Sequence, residues 1–379
     1  ANPLVGTEAP FAQSYYTTTR HIDETRDASD QRSYFEQTAT SIVQTVAQPS
    51  HPLFGSYDAV KAGTLARTVD AFNRALADTI HDTGDLLFDT ASLAATVGLE
   101  RWHDPVNWNH GKLPFDPRIV PLYADHLCRL IAAWRGKSRR CLVLDLDNTL
   151  WGGVIGDDGL DGIVLGNGSA LGEAFLSVQQ MAMRLRGRGV VLAVSSKNDE
   201  ARAWEPFRRH PEMLLREAHI AAFRANWDDK ATNIRAIADE LSLGLESLVF
   251  LDDNPAERAL VRRFLPQVAV PELPEDPSLY AATVWAAGYF EAIGYSSEDR
   301  KRADDYQANI SRRKLATSAG DLDGYLRSLK MKIHFAPFDD AGRARISQLI
   351  NKSNQFNLTT RRYSETDVAG LQRDPDAFT

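Results

Sequence analysis

Two aspartates lie directly after a short apolar segment, Cys141–Leu144, in the stretch Asp145-Leu146-Asp147-Asn148-Thr149. If this segment is a buried strand of an α/β sheet, both carboxylates can turn toward the crevice beyond its carboxyl end. Such a pair suits Mg²⁺, which prefers one or two carboxylates together with water and phosphate oxygens. It also suits phosphoryl transfer in which one aspartate attacks and the other moves a proton. The alternative is a pair of capping aspartates, which commonly begin turns and helices.

Three further polar segments follow in a fixed order: Ser195-Ser196-Lys197-Asn198 after a second apolar segment, Lys230 before a helical pattern, and Asp252-Asp253-Asn254 after a third apolar segment. The serines offer hydroxyl and backbone donors to a phosphate, the lysine can hold phosphate and nucleophile charge together, and the acidic pair adds hard ligands. Each segment taken singly is also explained as a cap, a solvated lysine or a turn. Their coincidence at strand ends and helix starts predicts one site.

Apolar segments alternate with helical patterns from Cys141 onward, which is typical of βαβ units and a parallel sheet. We predict strands at 141–144, 190–194 and 248–251, and a helix that begins with Asn254 as N-cap and Pro255 at its first position. Only 48 residues separate Asp147 from Ser196, and 21 separate Lys230 from Asp252. This leaves room for a Gly-rich flap at 152–168 but not for an inserted cap domain. An open site suits a protein-tethered or flat substrate.

The four motifs resemble those of the haloacid dehalogenase superfamily, over about 120 residues from Cys141 to Phe264. The resemblance implies a Mg²⁺-dependent enzyme with an α/β, Rossmannoid parallel sheet. Asp145 would be the nucleophile and a metal ligand, Asp147 the general acid/base and a metal-site carboxylate, and Lys230 a catalytic phosphate binder. The other implied positions are metal ligands at Asp252 and Asp253 and substrate contacts at Ser195, Ser196, Lys197, Asn148, Thr149, Trp151 and Asn254. For Trp151, stacking on a substrate and packing of the flap are both open.

A narrower resemblance, to the FkbH-like proteins, extends to the motif Asn354-Gln355-Phe356-Asn357-Leu358-Thr359-Thr360-Arg361-Arg362-Tyr363. It implies loading of a glyceryl unit from 1,3-bisphosphoglycerate, a phosphorylated acyl donor, onto an acyl carrier protein in polyketide-type biosynthesis. Many members have Cys where this chain has Ser195, which puts an acyl-enzyme step in doubt. A plain phosphatase acting on a phosphoprotein or small phosphate ester, and a non-catalytic scaffold, are the alternatives.

The same resemblance implies three regions. Residues 1–137 would be a degenerate SGNH-hydrolase-like α/β region, residues 138–285 the catalytic domain, and residues 286–379 a helical linker and the start of an acetyltransferase-like domain. Asp104 and His110 only loosely resemble an SGNH Asp-x-x-His motif, and we expect them to be structural. A strand is predicted at Met331–Phe338, and the segment after Tyr363 is expected to be poorly packed or paired elsewhere, because its β-prone run has no visible partner.

The composition excludes several classes of protein. The chain of 379 residues has 43 Lys and Arg against 51 Asp and Glu, a net charge of −8, which argues against nucleic acid as a partner. The cysteines, Cys128 and Cys141, form no disulfide or metal-ligand pattern. Since no membrane-spanning run or signal peptide is visible, we expect a cytoplasmic protein without a membrane partner. The start at Ala1 without Met suggests a possible fragment.

Overall fold

A computed structural model describes residues 41–83, 85–296, 299–303, 306, 338–339, 342–352 and 363–374. The chain divides into two compact units, residues 1–311 and 312–379. The strands are β1 Ile42–Gln44, β2 Leu86–Phe88, β3 Cys141–Leu144, β4 Val191–Ser196, β5 Ala222–Ala225 and β6 Leu248–Leu251. The helices of the first unit with described bounds include α1 Leu65–Thr83, α2 Thr90–Val97, α3 Leu99–Trp102, α4 Pro105–Gly111, α5 Val120–Trp134, α6 Ile155–Gly162, α7 Ala170–Gly187, α8 Glu200–Arg209, α9 Lys230–Leu241, α10 Pro255–Phe264 and α11 Tyr280–Ala287.

The main sheet is parallel, with the strand order β5-β4-β3-β6. Strand β3 lies in the interior of the sheet, and its first residue, Cys141, is level with Val191 of β4 and Leu248 of β6. All four residues of β3 are fully buried, as expected of a parallel strand covered on both faces. The predicted α/β fold with a parallel sheet is therefore present, and the polar residues after β3, β4 and β6 meet at one edge.

Two apolar layers cover the sheet. Phe175 of α7 and Phe207 of α8 belong to the core on one face, whereas Ile234 of α9 and Val261 of α10 belong to the core on the other. The chain runs from β3 outward through β4 to β5 and then crosses back to β6. The strand order therefore reverses at β3, which is where open α/β sheets place their ligands.

The predicted strands β3 and β6 have the expected bounds, and α10 begins with Asn254 as N-cap and Pro255 at its first position, as predicted. Strand β4 begins one residue later than predicted and continues through Ser195 and Ser196, both buried. The two serines thus belong to the strand itself rather than to a cap after it.

The flap at 152–168 contains only the short helix α6 and an antiparallel bridge between Gly152 and Val164. No cap domain is inserted between β3 and α7, in agreement with the prediction. A glycine is needed at position 152, where the flap begins, because a Cβ there would lie 2.9 Å from the ring of Phe175. The described flap therefore leaves the strand ends without a separate covering domain.

The region before the main sheet is also α/β. Strands β1 and β2 pair in parallel, and α2, α3 and α5 contribute residues to a small core around the fully buried Trp102. Asp104 caps α4 by accepting from the backbone N–H groups of Val106 and Asn107, which is the structural role expected for it. The relation of this region to SGNH hydrolases and the boundaries at residues 137 and 285 remain predictions.

The second unit contains α12 Arg343–Lys352 and α13 Glu365–Arg373, which contact each other. Ser364 begins α13 with a capping box to Asp367, and Val368 is fully buried. The expectation of poor packing after Tyr363 is therefore wrong for residues 364–373, because a capped amphipathic helix finds a helical partner there. Residues 331–337 of the predicted strand Met331–Phe338 and residues 354–362 of the motif Asn354–Tyr363 lie outside the described residues. The acetyltransferase-like assignment remains a prediction.

None of the helices in the described part of the chain combines the length and apolar character that crossing a membrane requires.

Helix α9, which carries Lys230 at its first position, depends on an N-cap that can be tested. The Asp229 carboxylate accepts from the backbone N–H of Thr232 at 2.9 Å and from its hydroxyl at 2.7 Å. We expect Asp229→Ala to lower the free energy of unfolding by about 1 kcal/mol, as for other N-cap losses. Thermal or urea unfolding would measure it. The exposed neighbour Asp228 provides a matched control, and an equal loss in Asp228→Ala would contradict the capping role.

Candidate active site

Lys230 lies at the centre of the strand-end cluster. Its ammonium contacts Asp145 Oδ1 at 2.5 Å, the backbone carbonyl of Ser195 at 2.7 Å and Asp252 Oδ2 at 3.1 Å. Its side chain is only 3% exposed, and a buried ammonium is tolerated only when it is paired. Burial by itself lowers the pKa of Lys230, but Asp145 and Asp252 outweigh burial and raise it. The lysine therefore remains a cation that joins the end of β4 to the residues after β3 and β6.

Three carboxylates form a candidate metal site. One oxygen from each of Asp145, Asp252 and Asp253 lies within 4.8 Å of the other two. Burial, followed by repulsion from Asp145, raises the pKa of Asp252 to about 7 and also raises the pKa of Asp253. Such crowded carboxylates are costly by themselves and gain from a divalent cation. Their hard oxygen donors fit Mg²⁺.

Asp147 lies outside this carboxylate cluster. Its Oδ1 accepts from the Trp151 indole N–H and from the backbone N–H of Ile155, both at 3.0 Å, and its Oδ2 accepts from the Asn198 amide at 2.8 Å. Burial raises the pKa of Asp147 despite these donors. The side chain is thus held beside Asp145 in an arrangement that suits proton transfer, and metal ligation by this side chain remains a prediction.

The two serines differ in their surroundings. Ser196 Oγ accepts from the Asn198 amide at 3.0 Å and so lies beside the group that holds Asp147. Ser195 contributes its backbone carbonyl to Lys230, whereas its buried hydroxyl has no hydrogen-bond partner among the described residues. The structure therefore brings Ser196 into the polar network of the site. It gives the Ser195 hydroxyl no activating base.

Two residues predicted to bind substrate instead shape the loop after β3. Asn148 has a left-handed backbone, with φ of 53°, and its side-chain oxygen accepts from the N–H of Gly153 at 2.9 Å. The buried Thr149 hydroxyl accepts from the N–H of Asp253 at 3.1 Å, which ties this loop to the loop after β6. Both side chains accept from backbone N–H groups, so the structure gives them a positioning role.

Substrate stacking by Trp151 is contradicted. Its ring is fully buried, its N–H is bonded to Asp147, and it packs edge-on against Phe207 with 6.1 Å between ring centroids. In the structure the Trp151 ring packs the flap, which is the other of the two interpretations. The side-chain oxygen of Asn254 is also occupied, since it caps α10 through the N–H of Ala256. Lys197, in contrast, remains partly exposed at the site and forms an ion pair with Glu257.

Two residues important to the geometry were not assigned a role from the sequence. Asn198 joins Ser196 to Asp147, and its place in the Ser-Lys-Asn segment was the available signal. Arg258 is buried and donates to the carbonyls of Asp252 at 3.0 Å and Asp253 at 2.6 Å. No local pattern distinguishes Arg258 from a surface arginine of an amphipathic helix.

No family sequence model and no curated protein matches the chain. Among solved structures, it is similar to the N-terminal part of the protein BF1531 from Bacteroides fragilis, which contains a phosphatase domain and is complexed with Mg. The identity is 37%, with 70% of this chain and 73% of that chain covered and a TM-score of 0.65. A second match is 3-deoxy-D-manno-octulosonate 8-phosphate phosphatase from Moraxella catarrhalis, in complex with magnesium ion, phosphate ion and KDO. Its identity is 16%, with 52% of this chain and 98% of that chain covered and a TM-score of 0.23, too low to add to the fold assignment.

The first comparison agrees with the site geometry. The BF1531 structure contains Mg, and this chain has the acidic cluster that such an ion requires, so the prediction of Mg²⁺ as cofactor is confirmed. The four motifs, the parallel sheet and the phosphatase relative lead to the same assignment, and the chain belongs to the haloacid dehalogenase family of phosphatases.

Proposed function

We propose that this protein is a Mg²⁺-dependent phosphatase that acts on a small phosphorylated acyl donor, 1,3-bisphosphoglycerate, and loads the resulting glyceryl unit onto an acyl carrier protein. The observation that carries the phosphatase part is the contact of Lys230 with both Asp145 and Asp252, inside a cluster of three carboxylates. Mg²⁺, held by Asp145, Asp252 and Asp253, would neutralise phosphate charge in this site.

The residues of the chain suggest the order of events at a phosphate ester. The Asp145 carboxylate attacks phosphorus, a phosphorus–oxygen bond to Asp145 forms, and the bond to the leaving alkoxide breaks. Asp147 gives the alkoxide its proton and then takes a proton from the water that hydrolyses the aspartyl phosphate. Lys230 orients the Asp145 carboxylate for the attack and remains paired with Asp252 after the aspartyl phosphate has formed. Buried Arg258 and Thr149 keep the loop of Asp252 and Asp253 aligned with Asp145.

The glyceryl-transfer part involves a different bond. Attack of a carrier thiolate on the acyl carbon of 1,3-bisphosphoglycerate would form a 3-phosphoglyceryl thioester and release the acyl phosphate as inorganic phosphate, a step that does not need Asp145 as nucleophile. Attack of Asp145 on the remaining phosphate ester would then leave the glyceryl unit on the carrier. Among the described residues, the strand-end edge has the short flap at 152–168 and no inserted cap domain, which supports access by a large carrier protein. This part of the proposal rests on the FkbH-like motifs.

A plain phosphatase is the second candidate, and Ser195 favours it. Where related enzymes have a thiol, this chain has a fully buried hydroxyl without a hydrogen-bonding base among the described residues. A serine in such surroundings is a poor acyl acceptor. In this alternative the acyl phosphate would be hydrolysed whether or not a carrier protein is present.

The metal site can be tested without an assay of activity. We expect Mg²⁺ to raise the melting temperature relative to EDTA, because binding to the folded state alone stabilises it. Asp253→Asn should reduce this Mg²⁺-dependent rise, since it removes one of the three clustered carboxylates. Differential scanning calorimetry would measure both. The exposed Asp239 on α9 is the matched control, and a Mg²⁺ response in Asp253→Asn as large as in Asp239→Asn would contradict the site.

The nucleophile is tested by Asp145→Asn, which changes charge and nucleophilicity with almost no change in volume. We expect phosphate release to fall by about three orders of magnitude or more, since loss of a covalent nucleophile costs several kcal/mol of barrier. The measurement is release of inorganic phosphate from a small phosphate ester in Mg²⁺, without a carrier protein, and circular dichroism verifies the fold. Asp239→Asn should retain activity. Wild-type turnover in Asp145→Asn, or activity that survives EDTA, would refute the phosphatase assignment.

Acyl transfer is tested by intact mass after incubation with Mg²⁺, 1,3-bisphosphoglycerate and a holo acyl carrier protein. We expect no acyl adduct on the wild-type enzyme: direct transfer would load the carrier alone, whereas the plain phosphatase would load nothing. Ser195→Cys introduces the missing thiol, and an adduct confined to this variant would locate the acyl step. Burial raises the pKa of the Cys141 thiol and keeps it unreactive. An adduct mapped to Cys128 or Cys141 would contradict this scheme.

A further inference from the structure

An ion pair joins the two loops on either side of the nucleophile. Lys197 follows β4, and Glu257 lies in the first turn of α10 after β6. Their side chains meet, with 2.6 Å between Lys197 Nζ and Glu257 Oε1. Since β3 lies between β4 and β6, this contact bridges the loops that flank the end of β3, where Asp145 stands. Two strand spacings are about 10 Å, a distance that a lysine and a glutamate together can bridge.

The pair holds the Lys197 ammonium in place. The Glu257 side chain is only 15% exposed, and its other oxygen, Oε2, is buried without a hydrogen-bond partner among the described residues. Releasing Lys197 would leave this carboxylate buried and uncompensated, which is costly. Glu257 is therefore a positioning residue that keeps a cation beside the site.

Lys197 keeps the capacity to bind an anion while it is paired. Its side chain is 40% exposed, and an ammonium has three donors, of which Glu257 Oε1 takes one. Lys230 differs, because Asp145, Asp252 and the Ser195 carbonyl engage it from three sides. Arg258 is also occupied, by two carbonyls and by Glu272. Of these three cations, Lys197 is therefore the one that has donors left for a second anionic group.

We propose that Lys197, positioned by Glu257, is a second anion-binding point that receives the non-reacting carboxylate or phosphate of a small doubly anionic substrate while its other phosphate reacts at Asp145. This proposal rests on the proposed phosphatase function and specifies its substrate class. Lys197 contributes to substrate selection, because an open site has no cap domain to measure the far end of the substrate. Charge-assisted hydrogen bonds of this kind supply both orientation and affinity.

The test compares two stable phosphate esters of similar size: 3-phosphoglycerate, which carries a carboxylate in addition to its phosphate, and glycerol 3-phosphate, which lacks it. We expect wild type to favour 3-phosphoglycerate by about tenfold or more in kcat/KM, mainly through KM, as expected for a hydrogen bond between charged groups. Lys197→Met should abolish most of this preference, and Lys197→Arg should retain it. Glu257→Gln should weaken the preference with a smaller effect on kcat, because the ammonium is then less well placed.

The matched control is Lys137, an exposed lysine that precedes β3 at the opposite edge of the sheet. Lys137→Met makes the same change in charge and should leave both substrates unaffected. A merely structural role for the Lys197 pair would lower stability and reduce turnover of both esters equally. That result, or a wild-type enzyme with no preference, would overturn the proposal.

A binding measurement separates this proposal from the proposed function. Isothermal titration of both esters into Asp145→Asn in Mg²⁺ reports the same preference without turnover, and the double variant Asp145→Asn with Lys197→Met reports its loss. If wild type hydrolyses neither ester, the phosphatase proposal fails for these compounds, and the binding ratio still decides the role of Lys197. Equal binding of the two esters to Asp145→Asn would refute the anion-binding point.

Discussion

The structure of the site depends on one buried cation. Lys230 begins α9, yet its ammonium reaches across the sheet to Asp145, the Ser195 carbonyl and Asp252, which follow or end three different strands. The buried carboxylates of Asp145 and Asp252 could not lie together without a positive charge between them, and a buried lysine could not exist without such partners. The interaction therefore holds the strand ends together and prepares them for a divalent cation and a phosphate.

The parallel sheet brings Lys230 and its partners together. Because β3, β4 and β6 are parallel and begin level with one another, their carboxyl ends present polar residues at one edge. Thr149 then ties the loop after β6 to the loop after β3, and Arg258 ties the loop after β6 to α10. In the described part of the chain, a short flap packed by Trp151, and no inserted cap domain, follows β3, so we expect the loops themselves to supply the features that select a substrate. The Lys197–Glu257 pair is such a feature, placed across the nucleophile.

The sequence was informative where the same pattern recurs along the chain, an apolar run followed by carboxylates. The strands at 141–144 and 248–251 could be predicted because each is a short apolar run that ends in carboxylates, and α10 because Asn254 and Pro255 are its cap and first residue. The sequence was less informative about which way a side chain points. Trp151 follows the catalytic motif as a substrate-stacking residue would, but its ring turns inward, because a large apolar surface gains more from burial than from exposure.

By itself, the sequence determined the α/β class, the order of the strand-end motifs and the types of residue that meet a phosphate and Mg²⁺, since these depend on local periodicity and on side-chain chemistry. Only the tertiary structure decided which groups touch. Asp147 lies outside the carboxylate cluster, and the side chains of Asn148 and Thr149 bind backbone groups of the loops instead of a substrate. Lys197 pairs with Glu257, and α13 packs on α12. These are contacts between residues distant in the chain or decisions about side-chain direction, and they follow from how elements pack rather than from the residues next to them.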